Sequence, residues 1–236
     1  APVLEVAGDS SGQDLSDSGL ITFGDLDETD TVSLSFADND DISWSGGDLS
    51  PELASALLGG FSIPAISNAA APGSTSWSYD VSAVDLDFLA AGETITFSYT
   101  VTATDSQGAT ASELVSFTLT GSNDAPTLSV ADAAPVLEVA GDSSGQDLSD
   151  SGLVSFGDLD DTDTVSLSFA DNDDIRWSGG TLSPELASAL LGGFSIPATV
   201  NAAAPGSTSW NYAVGSVNLD FLAAGETITF SYTVTA

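Results

Sequence analysis

The run FGDLDETDTV places three carboxylates, Asp25, Asp27 and Asp30, within six residues and directly ahead of an alternating stretch. Aspartates at alternate positions of a turn can converge oxygen atoms on one point, and Ca²⁺ accepts about six to eight oxygens at roughly 2.3–2.6 Å. FGDLDDTDTV repeats the pattern as Asp158, Asp160 and Asp163. The spacing is not that of an EF-hand, because the glycine at loop position 6 and the closing glutamate are absent. The plain alternative is an acidic, solvated turn.

A second set of oxygen ligands surrounds GSNDAP, where Asn123 and Asp124 stand between the two halves of the chain. Asp105, in ATDSQG, heads a tight turn between two strand-like runs and is placed near the same end. Glu5 and Glu138 fall in the first strand of each half. One ion drawing ligands from a linker and its flanking domains would lock those domains in line. The alternative for Asn123 and Asp124 is a simple Asx turn before Pro126. A third cluster, ADNDDI, carries Asp38, Asn39, Asp40 and Asp41, and recurs with Asp171 and Asp173. It reads first as a hairpin turn and only second as a cation site. Asp48, Asp80 and Asp85 become Thr181, Ala213 and Asn218 in the other half, which argues against them as obligatory ligands.

Trp44 and Trp177 lie in short ISWSGG and IRWSGG segments and are candidate contacts for a bound ligand such as a glycan. Trp77 and Trp210 fall in phase with the buried side of a strand and read as core. Catalysis finds little support. The chain has no His, Cys or Met, so it offers no imidazole base, thiol or zinc ligand set. Thirty-five acidic residues against one basic residue, Arg176, give a net charge of −34. Such a surface repels nucleic acid and anionic headgroups, and repels itself unless cations screen or bind it. Divalent cations are the expected partner. No apolar stretch approaches the ~18 residues of a membrane span, and no signal-like segment opens the sequence. The chain reads as a segment of something longer.

The elements that must position these groups are repeated. Residues 1–103 align with 134–236 without a gap, with 91 positions identical and 12 different. Two such copies in series signal an array protein. Within a copy the period is two: TVSLSF (31–36), TSWSYDV (75–81), TITFSYTVTA (94–103) and ASELVSFTLTG (111–121) each alternate apolar with small polar residues. Shorter strands are expected at 3–7, 20–24 and 42–45. About seven strands separated by Gly, Asp, Ser and Asn describe an all-β fold, two tandem Ig/cadherin-like antiparallel sandwiches. SPELASALLGG predicts one short helix per copy, with Ser50 as N-cap, Pro51 at the first position, Leu53, Ala56 and Leu57 on one face and Gly59 at the end. The expected domains are 1–122 and 134–236, joined by a linker at 123–133. The second copy stops at TVTA, and a sandwich without the last strand would expose an unpaired edge. The expectation is that the parent chain continues or that another segment supplies the strand.

These motifs, above all AAGETITFSYTVTATDSQG followed by GSNDAP, resemble the VCBS-type, cadherin-like repeats of large bacterial RTX adhesins. The resemblance covers both copies. It implies extender domains arrayed in long stalks, exported by type I secretion, held at the cell surface and stiffened by Ca²⁺, with Asn123–Pro126 matching the family's linker ending and Asp25, Asp27 and Asp30 its acidic element. The helical insertion and the missing last strand depart from that pattern. The glycine-rich nonapeptide repeats of the secretion domain are absent. The resulting expectation is a non-catalytic, Ca²⁺-rigidified extender that needs no oligomer, makes contact with neighbouring repeats and enters no membrane. The rivals are a glycan- or ligand-binding sandwich and a protein whose acidity serves solvation alone.

Overall fold

The computed structural model describes residues 2–6, 12–27, 29–141 and 145–236. The chain forms two compact units, the first from Ala1–Asp124 with Leu159–Thr162, the second from Ala125–Asp158 with Asp163–Ala236.

The first unit contains β1 (Pro2–Leu4), β2 (Gln13–Phe23), β3 (Thr31–Asp38), β4 (Ser43–Trp44), α1 (Pro51–Leu58), β5 (Phe61–Ser62), β6 (Ala69–Ala70), β7 (Gly73–Val84), β8 (Thr94–Asp105) and β9 (Thr110–Thr120). One sheet runs β1-β9-β8-β3-β6, with β4 also on β8, and the other runs β2-β7-β5. All pairings are antiparallel except β1 on β9. Period-two alternation places Ile95, Phe97, Tyr99 and Val101 of β8 in the core, with Phe117 and Leu119 of β9 beside them. Tyr79 and Leu15 meet them from the second sheet, and the Phe97 and Phe117 rings stack 5.2 Å apart.

The helix plugs the sandwich as its caps predict. Ser50 Oγ accepts from Leu53 N–H at 3.2 Å, Pro51 opens the first turn, and Gly59 ends the helix by donating to Ser55 O. Leu57 is fully buried, and its carbonyl accepts the Tyr79 hydroxyl at 3.0 Å. Ala56 is exposed, so the buried face is formed by Leu57 with Leu53 and Leu58 instead.

Several boundaries differ from expectation. The short strand at 20–24 is an eleven-residue strand, Gln13–Phe23. Its inward positions include Asp17 and Gly19, which give no apolar signal. Gly19 leaves the space that Trp77 fills from β7, since a Cβ there would lie 2.5 Å from the indole nitrogen. The strand predicted at 3–7 is Pro2–Leu4, with Glu5 just past its end and Ala7 outside the described residues. Phe36 is 43% exposed, meeting Phe61 and Tyr99 in T-shaped ring contacts.

The second unit contains β10 (Thr127–Val130), β11 (Gln146–Gly157), β12 (Thr164–Val165), β13 (Ser168–Asp171), β14 (Arg176–Trp177), α2 (Pro184–Leu191), β15 (Phe194–Ser195), β16 (Ala202–Ala203), β17 (Gly206–Val217), β18 (Ile228–Thr229) and β19 (Tyr232–Thr235). One sheet runs β10-β11-β17-β15, and β12-β16, β13-β19 and β14-β18 are separate pairs. Ile228, Phe230, Tyr232 and Val234 are half-buried, whereas their counterparts in β8 are buried under Phe117 and Leu119 of β9.

Candidate metal centre

Two groups of three carboxylates converge among the described residues, each with oxygens within 4.8 Å of one another: Glu5, Asp87 and Asp124, all buried, and Asp25, Asp27 and Asp30, on the surface.

The buried group is built from three stretches far apart in sequence. Glu5 follows β1, whose ladder on β9 it extends by donating its N–H to Thr120 O at 2.8 Å. Its Oε2 accepts from both the amide and the hydroxyl of Ser122. Its Oε1 is buried and has no hydrogen-bond partner among the described residues. Asp87 lies in the loop after β7, where an Asx turn brings its N–H to Asp85 Oδ1 at 3.2 Å. Asp124 closes the first unit, and its N–H donates to Asp160 Oδ2 at 2.8 Å. Asp160 is 1% exposed. The Leu159–Thr162 segment that carries it is fixed to the same unit by Asp161 N–H to Phe88 O and by Thr162 Oγ1 to Glu93 Oε1.

The electrostatics of this group are severe. At an effective dielectric near 20, two charges about 4.8 Å apart repel by about 3 kcal/mol, and three carboxylates make three such pairs. No lysine is present in the chain, and its one arginine belongs to the second unit. A buried set of hard oxygen donors with one oxygen bare of hydrogen bonds matches the chemistry of a Ca²⁺ ligand set and excludes the nitrogen and sulfur ligands of zinc.

The surface group is a local turn. Asp27 N–H donates to Asp25 Oδ1 at 2.9 Å and Asp30 N–H to Asp27 O at 2.9 Å. Among the described residues its equivalents Asp158, Asp160 and Asp163 are not grouped in this way, and Asp160 Oδ2 accepts from Asp124 N–H.

The remaining sequence candidates occupy other places. Asp105 sits at the opposite end of β8 from Glu5 and Asp124, paired with Val32 rather than near Thr94. Its Oδ1 accepts from Gln107 and Ala109 N–H at 2.8 Å each, shaping the hairpin in which Gly108 takes a φ of +92°. Asn123 is exposed and turns its amide back on Asp124 O. Glu138 is half-buried in a stretch without strand structure, not in a strand as expected. Asp38 and Asp171 each cap a turn by accepting from Asp40 and Asp173 N–H. In the same turns Asp41 binds Ser98, and Asp174 binds Ser231. The Ser231 hydroxyl and amide hold the Asp174 carboxyl below its usual range, with Arg176 adding a smaller pull.

Trp44 and Trp177 are half-buried and form one wall of a shallow groove in each unit. Each packs edge-on against a phenylalanine, Phe88 or Phe221, with centroids 4.8 Å apart. Each indole N–H is committed to a glutamate, Glu93 at 3.0 Å or Glu226 at 3.1 Å.

Asp87 is the ligand candidate that sequence reasoning missed. Its signal was present: DLD at 85–87 echoes the DLD at 25–27, and Asp87 is retained as Asp220 while Asp85 is not.

No family model matches the chain, and no curated protein matches it. Solved structures overlay only loosely. A complex of a chaperone and a tip adhesin of CFA/I fimbriae gives a TM-score of 0.32 at 11% identity, covering 97% of this chain and 76% of the other. A protocadherin fragment, PcdhgB3 EC1–4, gives 0.29 at 10% identity, covering 99% and 72%. The C-terminal domain of the Streptococcus agalactiae polypeptide BspA gives 0.22 at 12% identity, covering 100% and 93%. Overlays this loose identify neither a family nor a function. Fold and site together define a class: a tandem all-β sandwich protein with a buried acidic cluster.

Proposed function

We propose that this chain is a non-catalytic structural segment of a secreted bacterial surface adhesin, a pair of extender repeats stiffened by Ca²⁺. The observation that carries the reading is the buried Glu5–Asp87–Asp124 group with Glu5 Oε1 bare of hydrogen bonds. A bound divalent cation would turn the mutual repulsion of these carboxylates into attraction. It would tie together the end of β1, the loop before β8 and the point where the chain leaves the first unit. Asp160, held on the Asp124 amide, stands ready as a further oxygen donor. The Asp25, Asp27 and Asp30 turn is a second, weaker cation site. Fastening such points limits bending, and a stalk acts through length and stiffness.

Thermal unfolding in chelator, in millimolar Ca²⁺, in Mg²⁺ and in matched NaCl tests the reading. Binding to the folded state alone raises the midpoint by mass action. The expected outcome is a rise specific to Ca²⁺. An equal rise in NaCl would reduce the carboxylates to general screening and return the acidity to a role in solvation.

A further inference from the structure

The two units carry nearly the same strand as β2 and β11, and differ in what lies along its outer edge. In the second unit β10 runs antiparallel to β11, from Thr127 opposite Gly157 to Val130 opposite Val154. Ala131 N–H extends the ladder to Leu153 O at 2.8 Å, and Ala131 O accepts the Trp210 indole N–H at 2.9 Å. Leu128 packs on the core, where Val154 and Trp210 are buried.

In the first unit β2 pairs only with β7 among the described residues. Ile21 and Trp77, the counterparts of Val154 and Trp210, are both half-buried. The Trp77 ring packs on Phe61 and Phe117, but its indole N–H meets no acceptor among the described residues. Backbone groups alternate sides along an antiparallel strand, so Leu20, Thr22 and Gly24, the counterparts of Leu153, Ser155 and Gly157, direct theirs outward. An edge of this kind is a template for another strand, with main-chain hydrogen bonds giving affinity and alternate side chains giving selectivity.

We propose that the outer edge of β2 is a strand-acceptor site, and that its occupant is the segment equivalent to residues 125–131 from another copy of this repeat. That segment, Ala-Pro-Thr-Leu-Ser-Val-Ala, is uncharged, so it approaches a chain of net charge −34 without repulsion. Added antiparallel to β2, it seats its leucine against the core beside Ile21 and presents a carbonyl to the Trp77 indole. The structural repeat therefore begins at Ala125, ahead of the aligned start at Ala134. The proposal does not depend on Ca²⁺.

The test uses the full chain with the segment of residues 123–133 repeated ahead of Ala1, which reproduces the spacing found in the second unit. A second sample is the unaltered chain titrated with a peptide of residues 125–133. Backbone and indole amide NMR is the readout, with Trp77→Phe assigning the Trp77 indole. The expected result in the tethered chain is a downfield shift of that indole proton and at least tenfold slower exchange of the Thr22 and Gly24 amides. The peptide shifts the same resonances, and a peptide with aspartate in place of its leucine does not. An unchanged Trp77 indole in the tethered chain overturns the proposal, as do peptide effects confined to Trp210 and β11, which would mean exchange with β10.

Discussion

Ser122 donates both its amide, at 2.9 Å, and its hydroxyl to a single oxygen of Glu5, Oε2, and the other oxygen is buried without a hydrogen bond. The serine fixes the carboxylate in place beside Asp87 and Asp124. A buried charged oxygen left in that state costs several kcal/mol unless a cation neutralises it.

Asp87→Asn keeps the side-chain volume and removes one charge from the group. With a dissociation constant on the order of 10⁻⁴ to 10⁻³ M, about 10 mM Ca²⁺ stabilises the folded state by about 1.4–2.7 kcal/mol. The variant is expected to lose most of that increment and, relieved of two of the three carboxylate repulsions, to be more stable than the parent protein in chelator. Scanning calorimetry with and without Ca²⁺ reads both, and an undiminished Ca²⁺ response in the variant removes Asp87 from the site.

Leu57→Ala and Leu190→Ala empty equivalent buried positions under the two helices. Each is expected to destabilise its unit by about 2–5 kcal/mol, as cavity-forming substitutions do. Ala56→Ser, on the exposed face of the first helix, is expected to stay within about 0.5 kcal/mol. Denaturant unfolding followed by tyrosine fluorescence distinguishes the two faces.

Gly121 admits no side chain, because a Cβ would lie 2.2 Å from Leu89 O and 2.5 Å from Ala90 O. Both obstacles are backbone, which cannot rotate away. Gly121→Ala is expected to cost at least about 1–3 kcal/mol and, by shifting the chain just before Asp124, to weaken the Ca²⁺ response too. A Gly121→Ala chain with the parent's midpoint and Ca²⁺ response would contradict that close approach.

Burial pushes the phenols of Tyr99, Tyr212 and Tyr232 up to about 12, with Asp38 adding to the rise at Tyr99 and Asp171 at Tyr232. A raised folded-state value means that the native protein holds these protons more tightly than the unfolded chain, whose phenols titrate near 10. Their contribution is complete below pH ~10 and is lost as pH rises from ~10 to ~12. Stability is therefore expected to be flat in these groups through neutral pH and to fall above ~10. Phenolate absorbance should then rise together with unfolding. A smooth titration near pH 10 in the native protein would refute the burial argument.

Much of the architecture was legible because its signals are local. The alternation in TITFSYTVTATD marks β8 and its buried face, and Ser50, Pro51 and Gly59 mark the helix without reference to any other part of the chain. The strand at Gln13–Phe23 was only half visible, since its inward positions hold Asp17 and Gly19 and the apolar group above them, Trp77, comes from another strand. For the site, the sequence named Glu5, Asp124 and the Asp25–Asp30 turn, but joined Asp105 to the wrong end of β8. Strand direction decides which end a turn occupies, and one turn motif carries no direction.

The amino-acid sequence by itself determined the repeat, the all-β class, the helix and its caps, and a supply of hard oxygen donors with a single basic residue against them. Only the tertiary structure decided which carboxylates meet, because Glu5, Asp87 and Asp124 are brought together by strand pairing across long loops. It also gave identical residues different surroundings: Asp27 is exposed and Asp160 buried, Trp77 half-covered and Trp210 enclosed. Local sequence sets what a residue prefers, but its burial is set by the segments that fold over it, and those lie elsewhere in the chain.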